Sequence, residues 1–247
     1  MTQADDRVER VRKLLAKAEA KGTTPEEAET LSAKAAELMA RYMIDDAMLA
    51  SVDRLVQEKI VTRVVLPPRV PSTYAHEYIS IGIHVAEAFG ARGLFQSAYN
   101  PKTRKFDKAL FVCGYESDVE RIITLWYSLV TQCILRVGPF IARSTKEWHT
   151  GTDKYHMRRG FISGFGVGVA ERLRAVVQDA KETSESQALV LVDRVTQVNR
   201  WVDENIKIGS GRPRMYDVGA RAAGFSAGMS SDTGTTRLGT ARKEIGQ

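Results

Sequence analysis

The chain has 247 residues, of which 43% are hydrophobic and 27% are charged, and its formal net charge is +6. This composition excludes an intrinsically disordered chain, because it holds enough apolar side chains for one large core or two small ones. The two cysteines, Cys113 and Cys133, exclude a disulfide-rich scaffold and favour a reducing cytoplasm. The sequence predicts neither a secretory signal nor a membrane span, since no apolar run approaches the roughly 20 residues that a span needs.

Two amphipathic helices are predicted within residues 1–45. The first covers residues 6–20, with its apolar side chains on one face, and ends at Gly22. Thr24 then has the properties of an N-cap, with Pro25 at the first helical position and Glu27 completing a T-x-x-E capping box. The short loop between the two helices predicts an antiparallel helical hairpin.

This hairpin resembles the bacterial and phage proteins grouped as domain of unknown function 2786. The first helix is similar to a KLLALA-like family pattern, and the second ends like the family's LM-x-KY-x-I, with arginine where lysine is common. The matching positions are Lys13, Leu14, Leu15, Ala16, Glu27, Ala28, Leu38, Met39, Arg41, Tyr42 and Ile44. Residues 111–129 and 155–173 also look like segments that follow this hairpin in actinobacterial and phage members. The resemblance implies a cytoplasmic protein of a bacterium or phage, and it brings no established activity, cofactor or catalytic residue.

A small mixed domain is predicted after the hairpin. A strand, a helix, two strands and a second helix follow one another at residues 58–66, 72–90, 94–98, 106–113 and 117–137. Pro67 ends the first strand, Asn100 and Pro101 suit the turn between the second and third strands, and Ser117 with Glu120 forms an S-x-x-E cap for the second helix. The order predicts a three-stranded antiparallel sheet with helices on one face.

Glycine ladders are the main feature of the C-terminal half. Within a helix predicted over residues 155–175, small residues recur every fourth position, and a segment near the C-terminus repeats the spacing: Gly160, Gly164 and Gly168, then Ala220, Gly224 and Gly228. Each interior glycine costs a helix about 1 kcal/mol relative to alanine, so the two rows predict helices packed backbone to backbone. Gly138 and Pro139 are predicted to interrupt the preceding helix, and residues 188–205 to form another.

The predicted fold class is therefore α+β. It combines the helical hairpin, the sheet with its helices, and long C-terminal helices that include a glycine-ladder pair. The predicted domains are residues 1–55, the strand-helix-strand-strand-helix domain at 56–137, a helical region at 138–206 and a basic segment at 207–247.

Basic residues concentrate in two places. Residues 207–247 hold 7 Lys and Arg against 3 Asp and Glu, and so carry +4 of the net +6. The loop between the second and third strands is the other place.

Basic side chains neutralise phosphates and an aromatic ring can stack on an unpaired base, so the sequence predicts a nucleic-acid site. A charged hairpin tip that protects a sheet edge is the alternative. The candidate residues are Lys102, Arg104, Lys105, Lys108 and Tyr99, with Phe106 beside them, and Arg212, Arg214 and Arg221 in the tail.

Metal and catalytic patterns are weaker. His84 with Glu87 and Asp153 with His156 are spaced to share a helix face, but neither pair, nor His76 or His149, assembles the three or four ligands that a metal needs. A nuclease would need clustered carboxylates, for which the candidates are Asp107, Glu116, Asp118 and Glu120. No phosphate-binding loop or nucleophile motif is present. The sequence therefore predicts no catalytic residue, no metal and no cofactor.

Three functional hypotheses remain open. The leading hypothesis is a non-enzymatic accessory protein that binds DNA or RNA through the basic loop and the C-terminal segment. The second is a protein-interaction or oligomerising module, in which the N-terminal hairpin docks on a host or phage protein or joins copies of the chain. The third is a metal-dependent hydrolase or nuclease. None of them involves a membrane.

Overall fold

The computed structural model describes residues 58–231 except 69, 102–103, 147–148, 184 and 210–213, together with a few positions between residues 10 and 42, and it leaves aside the side chains of 179–188. The elements are β1 (Ile60–Val65), α1 (Ala75–Ala88), β2 (Arg92–Asn100), β3 (Lys105–Tyr115), α2 (Glu116–Ser144), α3 (Gly151–Thr183), α4 (Glu185–Asn205) and α5 (Val218–Met229), with a 3₁₀ turn at Ser72–Tyr74 before α1. The predicted α+β class is confirmed.

The sheet has three antiparallel strands in the order β1-β3-β2. In the β2–β3 hairpin, Arg92 lies opposite Cys113 and Asn100 opposite Lys105, so the hairpin is longer than the sequence predicts. On the other side of β3, Ile60 of β1 lies opposite Tyr115. The two long strands therefore carry the basic loop well beyond the end of β1.

Helices cover both faces of the sheet, whereas the sequence analysis placed them on one face. α1 and α2 share a core with one face, where Trp126 of α2 donates a hydrogen bond from Nε1 to the carbonyl oxygen of Tyr78 in α1 at 2.9 Å. α4 packs on the other face, where Val198 and Val202 bury Cys113. Alternation along β3 explains the second layer, because its apolar residues point to both sides.

The glycine ladders pack α3 against α5. A Cβ atom on Gly160 would lie 2.8 Å from the carbonyl oxygen of Asp217, and one on Gly228 would lie 2.9 Å from the backbone nitrogen of Val169. At Gly164, Gly168 and Gly224 the same atom would also fall within 3.0 Å of backbone atoms of the facing helix. The predicted glycine-ladder pair is thus part of the fold, and at these five glycines the backbone of the facing helix leaves no room for a side chain.

The start of α2 differs from the prediction that Ser117 caps it. β3 runs directly into the helix, so the N-cap is Tyr115, two residues earlier. The backbone amide of Ser117 instead donates to Oε1 of Glu58 at 2.7 Å, and this carboxylate complements the positive end of the helix dipole. Glu120 pairs with Arg63 of β1 at 3.6 Å rather than forming a capping box.

The interruption predicted at Gly138 and Pro139 is also wrong, since α2 continues through both residues to Ser144. Proline removes one donor from a helix, which leaves the carbonyl four residues earlier, that of Leu135, without its usual partner. Leu135 is 69% exposed, so water can satisfy this carbonyl. The predicted domain boundary at 137/138 therefore falls inside a helix.

α2 is long and apolar enough to cross a membrane by length and composition, and it alone meets this criterion among the described helices. Its apolar side chains nevertheless have a place in the core: Leu125, Trp126, Leu129 and Cys133 are all at most 1% exposed. Packing against α1 and the sheet accounts for the buried part of this apolar content, while Ile134 and Leu135 remain 40% and 69% exposed.

The predicted N-terminal hairpin lies largely outside the described residues. Three of its described side chains, Leu14, Leu38 and Tyr42, pack partly buried against the core that α1, α2 and α3 share. These contacts attach residues of both predicted helices to the main body of the protein.

Candidate nucleic-acid interface

The β2–β3 hairpin exposes a row of aromatic rings on one face. Side chains two residues apart share a face of a strand, and the register places Phe95, Ser97 and Tyr99 opposite Leu110, Lys108 and Phe106. We call Phe95, Ser97, Tyr99, Phe106 and Lys108 the hairpin face. Its three rings are 45%, 55% and 74% exposed in the order Phe95, Tyr99, Phe106. Exposed apolar patches of this kind are often found at binding surfaces.

The position of α1 leaves this face open. His76 at the start of α1 stacks on Phe95 with ring centroids 4.0 Å apart, and further along the helix Ile83 and Ala86 lie over Gly93. The helix therefore covers β2 at Gly93 and Phe95, and the part of the hairpin nearer the turn extends beyond the start of the helix. At the outer end, the rings of Tyr99 and Phe106 meet edge to face at 5.7 Å.

The turn of the hairpin presents Arg104 in a left-handed conformation, with φ of 53°. Its backbone amide donates to the carbonyl oxygen of Asn100 at 2.9 Å, and the Asn100 side chain donates to Asp107 at 2.6 Å. These bonds link the two strands at the turn, and Arg104 and Lys105 lie at the tip beside Phe106 with exposed side chains.

A buried carboxylate lies behind the inner end of the hairpin face. Glu77 is fully buried, and its Oε1 accepts hydrogen bonds from Nε of Arg159 at 2.8 Å and from Nη1 of Arg214 at 3.2 Å. The guanidinium of Arg159 also lies over the rings of Tyr155 and Tyr216, 5.3 Å from each centroid. Arg214 is thereby joined to the same helix turn that carries His76.

Burial and several nearby charges act on the imidazole of His76. The pKa of His76 is lowered to about 4, first by burial and then by Arg214, with further contributions from Lys108 and Arg159, while Glu77 acts in the opposite direction. Lys108 of the hairpin and Arg214 of the C-terminal segment therefore act on one imidazole. Two of the basic residues predicted from separate parts of the sequence thus influence the same side chain.

The other predicted basic residues are distributed differently. Lys102 and Arg212 lie outside the described residues. Arg221 acts on His84, whose pKa is lowered first by burial and then by nearby charges that include Arg221. His84 is two turns of α1 away from His76, about 12 Å along the helix, so Arg221 is not part of the hairpin face.

Three contributors to this region were missed by the sequence analysis. Phe95 could have been found, because it shares the strand alternation of Tyr99. His76 was considered only as a metal ligand, and Glu77 has no local signal, because its partners Arg159 and Arg214 are distant in sequence.

Lowering the pH is expected to destabilise the fold through His76. Because its folded pKa of about 4 is below the ordinary value of 6.5, the stabilisation is complete above pH 6.5 and is lost as the pH falls towards 4. The loss is at most about 3 kcal/mol, since one pKa unit corresponds to about 1.4 kcal/mol. Urea unfolding across this range should give a flatter pH dependence for His76→Gln than for the wild type, and an unchanged one for the exposed His156→Gln. Equal pH dependence in wild type and His76→Gln would contradict this assignment.

The carboxylates considered for a nuclease do not converge. Among the described residues no three His, Cys, Asp or Glu side chains are grouped closely enough to hold a metal. Asp107 accepts from Asn100, Glu116 and Glu120 pair with Arg63, and Asp153 caps α3 by accepting from the backbone of Thr150 at 2.8 Å.

Asp118 has a structural partner. It is buried, and its Oδ2 accepts a hydrogen bond from Nη2 of Arg194 in α4 at 2.7 Å, while the same nitrogen reaches Glu58 at 3.2 Å. Burial raises the pKa of the Asp118 carboxyl, and Arg194 opposes this shift. The guanidinium also stacks on Tyr115, 3.6 Å from the ring centroid. This network attaches α4 to the sheet.

The fold and the site together define an α+β protein whose antiparallel hairpin exposes aromatic rings bordered by basic side chains. Residues 8–46 match the model of a family described as protein of unknown function (DUF2786), which confirms the resemblance of the N-terminal segment. The match ends before β1, so it does not cover the hairpin face. Comparison with the curated proteins and with the solved structures gives no match.

Proposed function

We propose that this protein binds single-stranded nucleic acid, DNA or RNA, without catalysing a reaction on it. The observation that carries the proposal is the row of exposed rings, Phe95, Tyr99 and Phe106, on a single face of the hairpin. Unpaired bases stack on such rings, and each stacked base contributes about 1–3 kcal/mol. In a duplex the faces of the bases are already stacked, so the hairpin face favours a single strand.

Basic side chains border the rings and supply the phosphate contacts. Arg104 and Lys105 lie at the tip, Lys108 lies on the hairpin face, and Arg214 acts on His76 at the inner end. Phosphate contacts are largely independent of sequence and weaken as salt is added. The protein would therefore act as a sequence-tolerant accessory factor in the cytoplasm of a bacterium or of a phage-infected host.

Protein–protein association is the second candidate, and the outer side of α5 favours it. Val218, Phe225 and Met229 are 82%, 38% and 40% exposed, and Met215 just before the helix is 90% exposed. Apolar side chains that are exposed together are common at interfaces between proteins or between copies of one chain. Light scattering of Val218→Ser beside the wild type tests this candidate, because an oligomer held by this surface should dissociate in the variant.

Phe106→Ala is expected to weaken binding of a labelled single-stranded DNA about tenfold, because it removes one stacking platform. The fold should be unaffected, since the ring is 74% exposed. Fluorescence anisotropy titrations measure the affinity, and Leu135→Ala is the matched control, because it removes an equally exposed apolar side chain from α2. Unchanged affinity in Phe106→Ala, or an equal loss in Leu135→Ala, would count against the proposed site.

A further inference from the structure

Glu77 is a fully buried carboxylate that faces two arginines from distant parts of the chain. Arg159 on α3 is itself buried, and its Nε atom lies 2.8 Å from Oε1 of Glu77. Arg214 precedes α5, and its Nη1 atom lies 3.2 Å from the same oxygen, while its side chain remains 32% exposed. Among the described residues, Oε2 of Glu77 has no hydrogen-bond partner.

The charges of this cluster do not cancel. One carboxylate faces two guanidinium groups, so Glu77, Arg159 and Arg214 together carry one positive charge. Arg159 is the inner partner, and a buried carboxylate needs such a partner to remain charged. Since Arg159 already meets this need, the excess positive charge belongs to the outer and more exposed Arg214.

We infer that Glu77 is a positioning residue for the nucleic-acid site: it fixes Arg214 beside the hairpin face, where Arg214 and Lys108 hold neighbouring phosphates of a single strand whose bases stack on Phe95 and on the outer rings. This inference rests on the proposed function. It assigns a specific phosphate subsite to the junction between the hairpin and the C-terminal segment.

The location of the subsite follows from the neighbours of His76. Its ring stacks on Phe95, its Nδ1 atom lies 4.0 Å from Glu77, and Lys108 and Arg214 both act on it electrostatically. Phe95 and Tyr99 are four residues apart on one strand, about 13 Å. Lys108, opposite Ser97, lies midway between them. A strand with bases on both platforms therefore passes over Lys108, and Arg214, joined through Glu77 to the helix turn of His76, lies at the inner end of its path.

The test is a double-mutant cycle on affinity for a labelled single-stranded DNA of mixed sequence, measured over a salt series. Arg214→Ala is expected to weaken binding about fivefold and to reduce the slope of log K against log salt by about 0.7, the value for one phosphate on a single strand. Glu77→Gln should give a similar loss, and the double variant should be no worse than Arg214→Ala alone. Arg214→Lys should restore the slope, because it keeps the charge.

Arg221→Ala is the matched control, because it removes an arginine of the same C-terminal region that lies beside His84 instead. Its affinity and salt slope should equal those of the wild type. If Glu77→Gln fails to fold, Arg214→Ala and Arg214→Lys still decide the question through the slope. An unchanged salt slope in Arg214→Ala, or additive losses of affinity in the double variant, would overturn the inference. The hairpin face would then remain the proposed binding site. Absence of any binding by the wild type would instead overturn the proposed function itself.

Discussion

Replacing Lys105 and Lys108 by glutamate is expected to lower the affinity for single-stranded DNA by about 100-fold at low salt. Each lysine supplies a charge-assisted contact to a phosphate, and such a contact contributes about 1.5 kcal/mol or more. Tenfold in affinity corresponds to about 1.4 kcal/mol, so two lost contacts give about two powers of ten before repulsion by the new carboxylates is counted. The salt slope should fall in the same variant, because fewer counterions are displaced.

The matched control reverses Arg200 and Lys207, which are exposed on α4 and just beyond it. α4 packs on the opposite face of the sheet, so this variant changes the net charge equally without touching the hairpin face. Arg104→Gly is a companion variant that removes one charge from the tip of the hairpin. Glycine adopts the positive φ of 53° without the backbone strain of an arginine. An equal loss of affinity in the control would mean that net charge, and not the hairpin, governs binding.

Replacing Gly224 by alanine is expected to destabilise the protein by about 3 kcal/mol or more. The added methyl group would fall within 3.0 Å of the Cα and carbonyl atoms of Phe161, and backbone atoms cannot turn aside as a side chain does. α5 would have to move away from α3 along its whole length, which would also open the contacts at Gly160 and Gly168. Overpacking usually costs about 1–3 kcal/mol of stability. A clash with backbone atoms is expected to cost as much as the upper end of this range or more. Urea unfolding measures the change.

Gly219→Ala is the control within the same helix. A Cβ at Gly219 has Asp217 as its nearest neighbour at 3.6 Å, an ordinary contact, so the substitution should stabilise α5 by up to about 1 kcal/mol. A loss of stability in Gly224→Ala together with a gain in Gly219→Ala would establish that close packing, and not helix propensity, requires the glycines of the ladder. A loss below 1 kcal/mol for Gly224→Ala would contradict the packing that the structure describes.

The elements that sequence predicts best are those whose signals are local and periodic. The strands and α1 follow from alternation and from the proline and glycine residues that bound them. The glycine rows predict a helix pair, because glycine destabilises a helix and close packing of two helices compensates for that cost. The predicted basic residues on the hairpin also follow from the position of the turn. These predictions need no knowledge of distant contacts.

What sequence could not predict depends on contacts between distant segments. Ser117 has a good capping pattern, yet Glu58, two residues before β1, accepts the hydrogen bond from its backbone amide. Pro139 is a helix breaker by propensity, but at an exposed turn of α2 the helix continues through it. The second helical layer was missed for a similar reason, because the face that α4 covers is built by Ile60 and Cys113, which are distant from α4 in sequence.

The candidate site divides in the same way. Tyr99, Lys105 and Lys108 are close in sequence and were predicted, whereas the joint action of Lys108 and Arg214 on His76 depends on how distant segments pack. Glu77 was missed because a single glutamate in an amphipathic helix looks like a surface residue until its arginine partners are known. Buried charges of this kind are visible only in the folded protein.

The most direct test is the affinity of the wild-type protein for labelled single strands and for duplexes of equal length, measured by fluorescence anisotropy between about 50 and 200 mM salt. Tighter binding of single strands is expected, with log K falling linearly with log salt at a slope near −3, because Arg104, Lys105, Lys108 and Arg214 would contact about four phosphates at about 0.7 each. Absence of binding at low salt, or a clear preference for the duplex, would contradict the account of the hairpin face as a single-strand platform.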